Sequence, residues 1–283
     1  MGDPELRRPA VAGRFYPGDP TELRRLVERC LAAVDASPRP AAAGIVPHAG
    51  LIYSGECAAH VFKRLEIPPV VVLVGPNHYG LASRPFAASL WARGAFETPL
   101  GRVAIAEDLA ATLQASSRLV RHDPLAHTRE HCLEVELPFL QILAPETRIV
   151  PILLATDDWA FCRDLANDLA GIASTWSDSV LLLASSDMTH YEPAQSAEKK
   201  DRIALAAIER LDGEALLRSC REHGITMCGR AAVAVVLEAS RRLGVTTADT
   251  VDYRHSGWVT GDDSSVVAYA GVLLHDAGDR HPS

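Results

Sequence analysis

The sequence predicts an α/β fold, built as a single domain with a central, mostly parallel or mixed sheet flanked by helices. Short runs such as residues 70–74 and 181–184 are apolar at every position, which is typical of central parallel strands that are covered on both faces. Amphipathic helical patterns lie between or after these runs. The chain has 283 residues, 48% of them hydrophobic, which is enough for one large core.

The first helix has a complete start signal. Asp19 is a capping residue, Pro20 suits the first turn, and Glu22 places an acid at the third helical position. Further helices are predicted at about residues 161–172, 198–211 and 230–243, the last ending before Gly244. Strands are predicted at residues 44–46, 69–74, 148–154, 179–184 and 265–274. No repeat or long linker divides the chain, so we expect one domain over 1–283 with a frayed tail at 276–283.

The charge balance argues against several classes of partner. The net charge is -8 and the basic residues form no concentrated run, so we expect no nucleic-acid partner. No apolar run approaches the ~18 residues that a membrane span needs. Residues 1–13 carry charges and prolines where a signal peptide would be apolar. These features predict a cytoplasmic protein that does not bind membranes, with its six scattered cysteines reduced.

Histidines follow three of the predicted strands at the point where each strand ends. His48 follows the strand at 44–46, His78 follows the strand at 69–74, and His190 follows the strand at 179–184. Ligands of open α/β sheets bind beyond the carboxyl ends of the strands, so we expect these side chains to converge. Asp187, three residues before His190, is placed to orient its ring. A single loop histidine is commonly a solvated side chain, but three equivalent positions favour a functional site.

Cys228 is a further candidate because it lies just ahead of the helix predicted from about Arg230. The helix dipole supplies only ~0.3–1 kcal/mol, whereas lowering a thiol pKa from about 8.5 to below 7 requires roughly 2 kcal/mol. A bound metal would complete the ionisation. Two imidazoles and one thiolate would then form a three-ligand site with open positions for water or substrate. The alternative is a buried, inert cysteine, which we expect for the other five.

The segment from His127 to His131 matches the pattern H-x-x-E-H of inverted zincin peptidases, with Glu130 as the base. The match is short, and Pro138 restricts a regular helix through Leu137. We therefore rank a peptidase below the strand-end site. His131 and Glu134 are expected to line the same pocket as the strand-end residues.

Asp262 lies in the polar segment 259–265, just before the last predicted strand. A Gly-Asp turn that leads into this strand explains it. A functional role is the less favoured alternative.

Taken together, these residues resemble the Memo family. The resemblance spans nearly the whole chain in family order. It rests on the segments 10–17, 47–55, 75–78, 130–141, 185–191, 228–229 and 256–269.

The resemblance implies a fold shared with the LigB-type (class III) extradiol dioxygenases, which hold non-haem iron(II) with two histidines and a glutamate. In the Memo family a cysteine replaces the glutamate, which implies that His48, His78 and Cys228 are the metal ligands. Asp187 and His190 fall where the family keeps an acid and a histidine beside the metal. The resemblance also implies companion proteins, an AMMECR1-like protein and a radical-SAM protein, from the set called AmmeMemoRadiSam.

The sequence therefore predicts a metal-dependent oxidoreductase of unknown substrate. The expected metal is Fe(2+), with Cu or Zn as alternatives, because a thiolate also suits these softer ions. His190, Asp187 and His131 are the expected catalytic residues, and a small molecule or a peptide is the expected substrate. The main alternative is a non-catalytic module that binds metal or peptide, and the third is the peptidase of His127 and His131.

Overall fold

The computed structural model describes residues 5–83 and 87–276. The helices are α1 (Pro20–Ala32), α2 (Leu51–Phe62), α3 (Glu107–Ser116), α4 (Pro124–His127), α5 (Leu137–Leu143), α6 (Trp159–Thr175), α7 (Ala194–Glu209), α8 (Gly213–Glu222), α9 (Arg230–Arg242) and α10 (Gly257–Thr260). The strands are β1 (Leu6–Arg7), β2 (Ala43–Val46), β3 (Val70–Pro76), β4 (Ala88–Leu90), β5 (Ala95–Thr98), β6 (Gly101–Ala104), β7 (Val120–His122), β8 (Arg148–Leu154), β9 (Val180–Ser185), β10 (His190–Glu192), β11 (Thr247–His255) and β12 (Val266–His275). Except for Asp276, the predicted frayed tail lies outside the described residues.

The described strands form a large mixed sheet and a separate three-stranded sheet of order β1-β5-β6, and the large sheet with its helices confirms the predicted α/β class. Within the described residues, the larger sheet has nine strands in the order β10-β12-β2-β9-β3-β8-β4-β7, with β11 paired to β12. The four strands β2, β9, β3 and β8 run parallel to one another. Strands β12 and β4 run antiparallel to the outer members of this set. The carboxyl ends of the four parallel strands therefore share one edge.

Helices cover the parallel strands, and the apolar runs at 70–74 and 181–184 are buried as predicted. Helix α9 packs on β9, β3 and β2, with α6 against it, while α2 packs on β12, β11 and β2 next to α1. The central residues Val71, Val72 and Leu73 are at most 1% exposed. Phe62 and Phe139 stack face to face with centroids 4.9 Å apart between α2 and α5. No helix in the described residues has the length and apolar content needed to cross a bilayer.

The predicted start of the first helix and the predicted end of the helix before Gly244 are both confirmed. Asp19 accepts hydrogen bonds from the backbone nitrogens of Thr21 and Glu22, each at 2.9 Å, and so caps α1. Helix α9 ends at Arg242, and Gly244 follows with a φ of +92°, a conformation that favours glycine.

Several elements of the structure were not predicted or begin at other residues than predicted, and three of them show why. Helix α7 begins at Ala194, four residues before the predicted start at 198, because Pro193 precedes it and marks the break. Helix α2 was not predicted, since Gly50 offers no side-chain cap and its residues are apolar on several faces. Strand β11 was not predicted either. It is a half-buried edge strand that carries Asp249 and Asp252, so its apolar pattern is weak.

Candidate metal centre

A cavity of about 760 Å³ opens at the carboxyl edge of the parallel strands. Loops that follow β2, β3 and β9, together with the start of α9, bring distant parts of the chain to it. The six residues predicted for the site all line this cavity: His48, His78, His131, Asp187, His190 and Cys228.

The imidazoles of His48, His78 and His131 form the tightest group in the cavity. One ring nitrogen of each lies within 4.8 Å of the others, and the ring centroids are 4.7–5.4 Å apart. His48 Nδ1 lies 2.7 Å from Ser185 Oγ, and His78 Nδ1 lies 2.8 Å from Glu130 Oε1. Nε2 of both rings is therefore the nitrogen left for a ligand. Burial, with the neighbouring histidines, holds the pKa of His48 well below its usual value, so the ring keeps its lone pair.

Cys228 contacts the same group from the N-terminal end of α9. Its Sγ lies 3.3 Å from His48 Nε2 and accepts a hydrogen bond from the backbone nitrogen of Asp187. All six cysteines lie in the described residues, and Cys228 is the one with partial exposure. A side chain at Gly229 would meet the Ser185 carbonyl at 2.3 Å, so glycine allows this close approach. Burial, and then the charge of Asp187, raises the pKa of the Cys228 thiol well above its usual value. Ionisation near neutral pH therefore requires a cation beside the sulfur.

Glu130 supports two of the histidines from behind. Its oxygens accept hydrogen bonds from His78 N at 2.7 Å and Nδ1 at 2.8 Å, and Oε1 also accepts from the backbone nitrogens of His131 and Cys132. His131 Nδ1 lies 3.2 Å from Oε1. Burial acts to raise the pKa of this carboxyl, but the contacts with His131 and His78 outweigh burial and lower it.

A second group of metal-capable atoms consists of His78, Glu130 and Cys132. The Glu130 oxygens in this group already have four N–H donors. We therefore assign Glu130 as a hydrogen-bond acceptor that orients the His78 ring, rather than as a ligand of a separate ion.

Asp187 and His190 both reach the cavity but do not interact as predicted. Asp187 Oδ1 accepts hydrogen bonds from the backbone nitrogens of His48 at 2.8 Å and Ala49 at 3.3 Å, so it shapes the turn that carries His48. The His190 ring is oriented by Thr226 instead, since its Nδ1 lies 3.1 Å from the Thr226 carbonyl oxygen. Nε2 of His190 is therefore left to exchange a proton in the cavity.

The H-x-x-E-H segment does not form the predicted peptidase pair. His127 is the last residue of α4, and its ring is buried with centroids 6.1 Å from Trp91 and 6.0 Å from Phe96. Its Nε2 lies 3.2 Å from the Ser89 carbonyl oxygen. Only His131 of this pair lines the cavity, because the chain turns between the two residues instead of continuing the helix that zinc binding would need.

The expectation that Glu134 lines the pocket was wrong. Its side chain is fully buried, forms an ion pair with Arg7 and accepts hydrogen bonds from Tyr16 Oη and the backbone nitrogens of Ala10 and Val11. Glu134 thus connects the N-terminal segment to the loop that carries His131.

Asp262, for which a functional role was the less favoured alternative, is exposed. It accepts a hydrogen bond from Ser264 N at 2.8 Å, as the predicted turn requires.

Sequence reasoning did not identify several residues that shape the cavity. Phe15 lies 4.6 Å from the His131 ring, centroid to centroid, and Tyr53 also lines the cavity. Both stand in segments that carry the family resemblance, 10–17 and 47–55, which was the available signal. Ser185 and Thr226 orient imidazoles through contacts that form only in the folded chain. Ser185 begins the segment 185–191 of the family resemblance, whereas Thr226 lies outside the matching segments.

The donor chemistry of the cavity fits a transition-metal ion. Imidazole nitrogens and one thiol converge, and Ser185 and Glu130 fix the ring nitrogens that face away from the cavity. Fold and site together define an α/β protein with three histidines that could hold a metal ion, and with Cys228 beside them, at the carboxyl edge of its parallel strands.

The chain belongs to the Memo family. The family model described as "Memo-like protein" matches residues 7–273. A MEMO1 family protein of Aquifex aeolicus is 42% identical over 270 residues, covering 95% of this chain and 99% of that protein. MEMO1 family proteins of Methanothermobacter thermautotrophicus and Methanopyrus kandleri are 40% and 37% identical, covering 94% and 95% of this chain and 99% and 98% of their own lengths.

One solved structure, of an uncharacterized protein from Escherichia coli K12, is similar at 13% identity with a TM-score of 0.48. The similarity covers 82% of this chain and 99% of that one.

Proposed function

We propose that this protein is a metal-dependent oxidoreductase that holds one iron(II) ion with His48, His78 and Cys228. The observation that carries the proposal is the contact between His48 Nε2 and Cys228 Sγ at 3.3 Å, across 180 positions of sequence, beside the rings of His78 and His131. Cys228 supplies the negative charge that a set of neutral imidazoles lacks. Copper and zinc are the alternative ions, because both bind imidazole and thiolate.

The remaining residues serve proton transfer and orientation. When bound, the ion would supply Lewis acidity and a route for electrons. His190, with Nδ1 held by the Thr226 carbonyl, accepts or delivers a proton at Nε2. Asp187 keeps His48 in place through the backbone nitrogens of the turn. These positions support a reaction in which a substrate O–H group loses its proton to His190.

His131 is the competing candidate for the third ligand, because one of its ring nitrogens lies within 4.8 Å of those of His48 and His78. Its Nδ1 is buried beside Glu130 and has no hydrogen bond to any of the residues that the structure describes. We place His131 next to the ion as a catalytic residue that contacts the substrate. Cys228 is preferred as the ligand because only it brings a negative charge.

Anaerobic iron analysis of four proteins tests this assignment: wild type, His48→Ala, Cys228→Ser and His131→Ala. We expect about one iron per chain in the wild type, loss of iron in the first two variants, and retention in His131→Ala. Loss of iron in His131→Ala with retention in Cys228→Ser would overturn the ligand assignment. Oxygen uptake by the iron-loaded protein over a panel of catechols and peptides then separates an oxidoreductase from a non-catalytic binding module.

A further inference from the structure

Glu136 is a buried acid with no role in the site described so far. Its side chain is 1% exposed, and Oε1 lies 2.9 Å from Ser185 Oγ. The other oxygen, Oε2, is buried with no hydrogen-bond partner among the described residues. A buried carboxyl with an unpaired oxygen is costly and calls for an explanation.

Ser185 connects this acid to the candidate metal centre. Its Oγ has three polar neighbours: His48 Nδ1 at 2.7 Å, Glu136 Oε1 at 2.9 Å and the Cys132 carbonyl oxygen at 2.9 Å. A serine hydroxyl has one proton to donate and two lone pairs that accept. The neighbour that accepts this proton therefore determines whether His48 Nδ1 faces the Ser185 proton or a Ser185 lone pair.

In either protonation state of Glu136, the Ser185 hydroxyl donates its proton to an oxygen and not to His48 Nδ1. If Glu136 is ionised, its carboxylate is the strongest acceptor near Oγ. If Glu136 is neutral, as burial favours by raising its pKa, its own proton is donated to Oγ and the serine proton goes to the Cys132 carbonyl. His48 Nδ1 therefore faces a lone pair of Ser185 and carries a proton itself.

We propose that Glu136 is a positioning residue that acts through Ser185 to hold His48 in the tautomer protonated at Nδ1, with the Nε2 lone pair directed to the cavity. The inference rests on the proposed function only for the reason why this tautomer matters, which is that it can bind a metal at Nε2. The tautomer itself is a property of the metal-free chain.

Nitrogen NMR of the metal-free, 15N-histidine-labelled protein at neutral pH tests the proposal. The wild type should show His48 protonated at Nδ1. Glu136→Met and Ser185→Ala should each move a measurable share of His48 to the Nε2-protonated form, while Glu136→Gln, which can still bond Ser185, should restore the wild-type spectrum. Ser54→Ala is the matched control, since it removes a buried hydroxyl that bonds the Ala49 carbonyl and not a histidine.

Metal binding gives a second readout for the same variants. Glu136→Met and Ser185→Ala should bind Zn²⁺ roughly 10–100-fold more weakly than Ser54→Ala does. An Nε2-protonated His48 in the wild type, or an unchanged tautomer in both variants, overturns the inference. If Glu136→Met does not fold, Ser185→Ala and Glu136→Gln decide it. If the variants shift the His48 tautomer but the wild-type protein binds no iron, the proposed function is contradicted and this inference still holds.

Discussion

Glu130 accepts hydrogen bonds from both the backbone nitrogen and Nδ1 of His78, at 2.7 and 2.8 Å. One carboxylate therefore fixes the position of the residue and the tautomer of its ring. The same oxygen, Oε1, lies 3.2 Å from His131 Nδ1, so the two imidazoles share a single support. Residues behind a ligand set are expected to tune metal affinity as well as geometry.

Replacing Glu130 with glutamine should weaken metal binding while leaving the ligands in place. The amide is neutral and cannot accept the four N–H donors equally well, so we expect affinity for Zn²⁺ or iron(II) to fall roughly 10–100-fold. Isothermal titration under anaerobic conditions measures this. Asp262→Asn changes an exposed turn carboxylate and should leave the affinity unaltered. Equal affinities in the two variants would show that Glu130 has no such role.

Replacing His190 with alanine should separate catalysis from metal binding. The ring contacts the Thr226 carbonyl and lines the cavity, but it is not part of the tight imidazole group. We expect metal content to stay near the wild-type value and activity to fall ~10²–10⁴-fold, as for loss of an acid–base group. Iron analysis and oxygen uptake on the same preparation provide both values. Loss of the metal would make His190 a ligand instead.

His127 should make the fold sensitive to acid. Burial lowers its pKa to about 3, against an unfolded value of about 6.5. Between these values the unfolded chain binds one more proton, so the stability contributed by His127 is present above pH ~6.5 and is lost as pH falls toward 3, by up to about 1.4 kcal/mol per pH unit. Urea unfolding at pH 7, 6 and 5 should show a smaller loss for His127→Leu than for wild type. If the free energy of unfolding fell equally with pH in both proteins, the inference that His127 is buried as a neutral imidazole would be wrong.

The ion pair of Arg7 and Glu134 should be essential for stability. Both side chains are almost fully buried, so Arg7→Met leaves a buried carboxylate without a counter-charge and should cost about 3–5 kcal/mol. The neighbouring Arg8 is exposed and lies 3.8 Å from Glu97, so Arg8→Met should change stability by no more than about 0.5 kcal/mol. Thermal and denaturant unfolding measure both. A small effect of Arg7→Met would contradict the essential role of this ion pair.

The sequence predicted the parts of the molecule that depend on local pattern. Apolar runs at 70–74 and 148–154 are strands of the parallel core, and Asp19 caps α1. The rule that ligands gather at strand ends correctly brought His48, His78 and His190 to one cavity.

What the sequence did not predict depends on contacts across the fold. The matching segment around His127 and His131 places one histidine in the core and the other in the cavity, because the chain turns between them. Ser185 and Thr226 are ordinary polar residues until folding sets them against imidazoles. The roles of such residues follow from tertiary geometry and have no periodic signal.

The central claim is that Cys228 completes a metal site with His48 and His78. X-ray absorption at the iron edge of the anaerobically loaded protein tests it most directly. Using zinc-type distances as a guide, we predict one sulfur neighbour at ~2.3 Å together with imidazole nitrogens at ~2.0–2.1 Å, and loss of the sulfur signal in Cys228→Ser. A wild-type spectrum with nitrogen and oxygen neighbours and no sulfur would contradict the account.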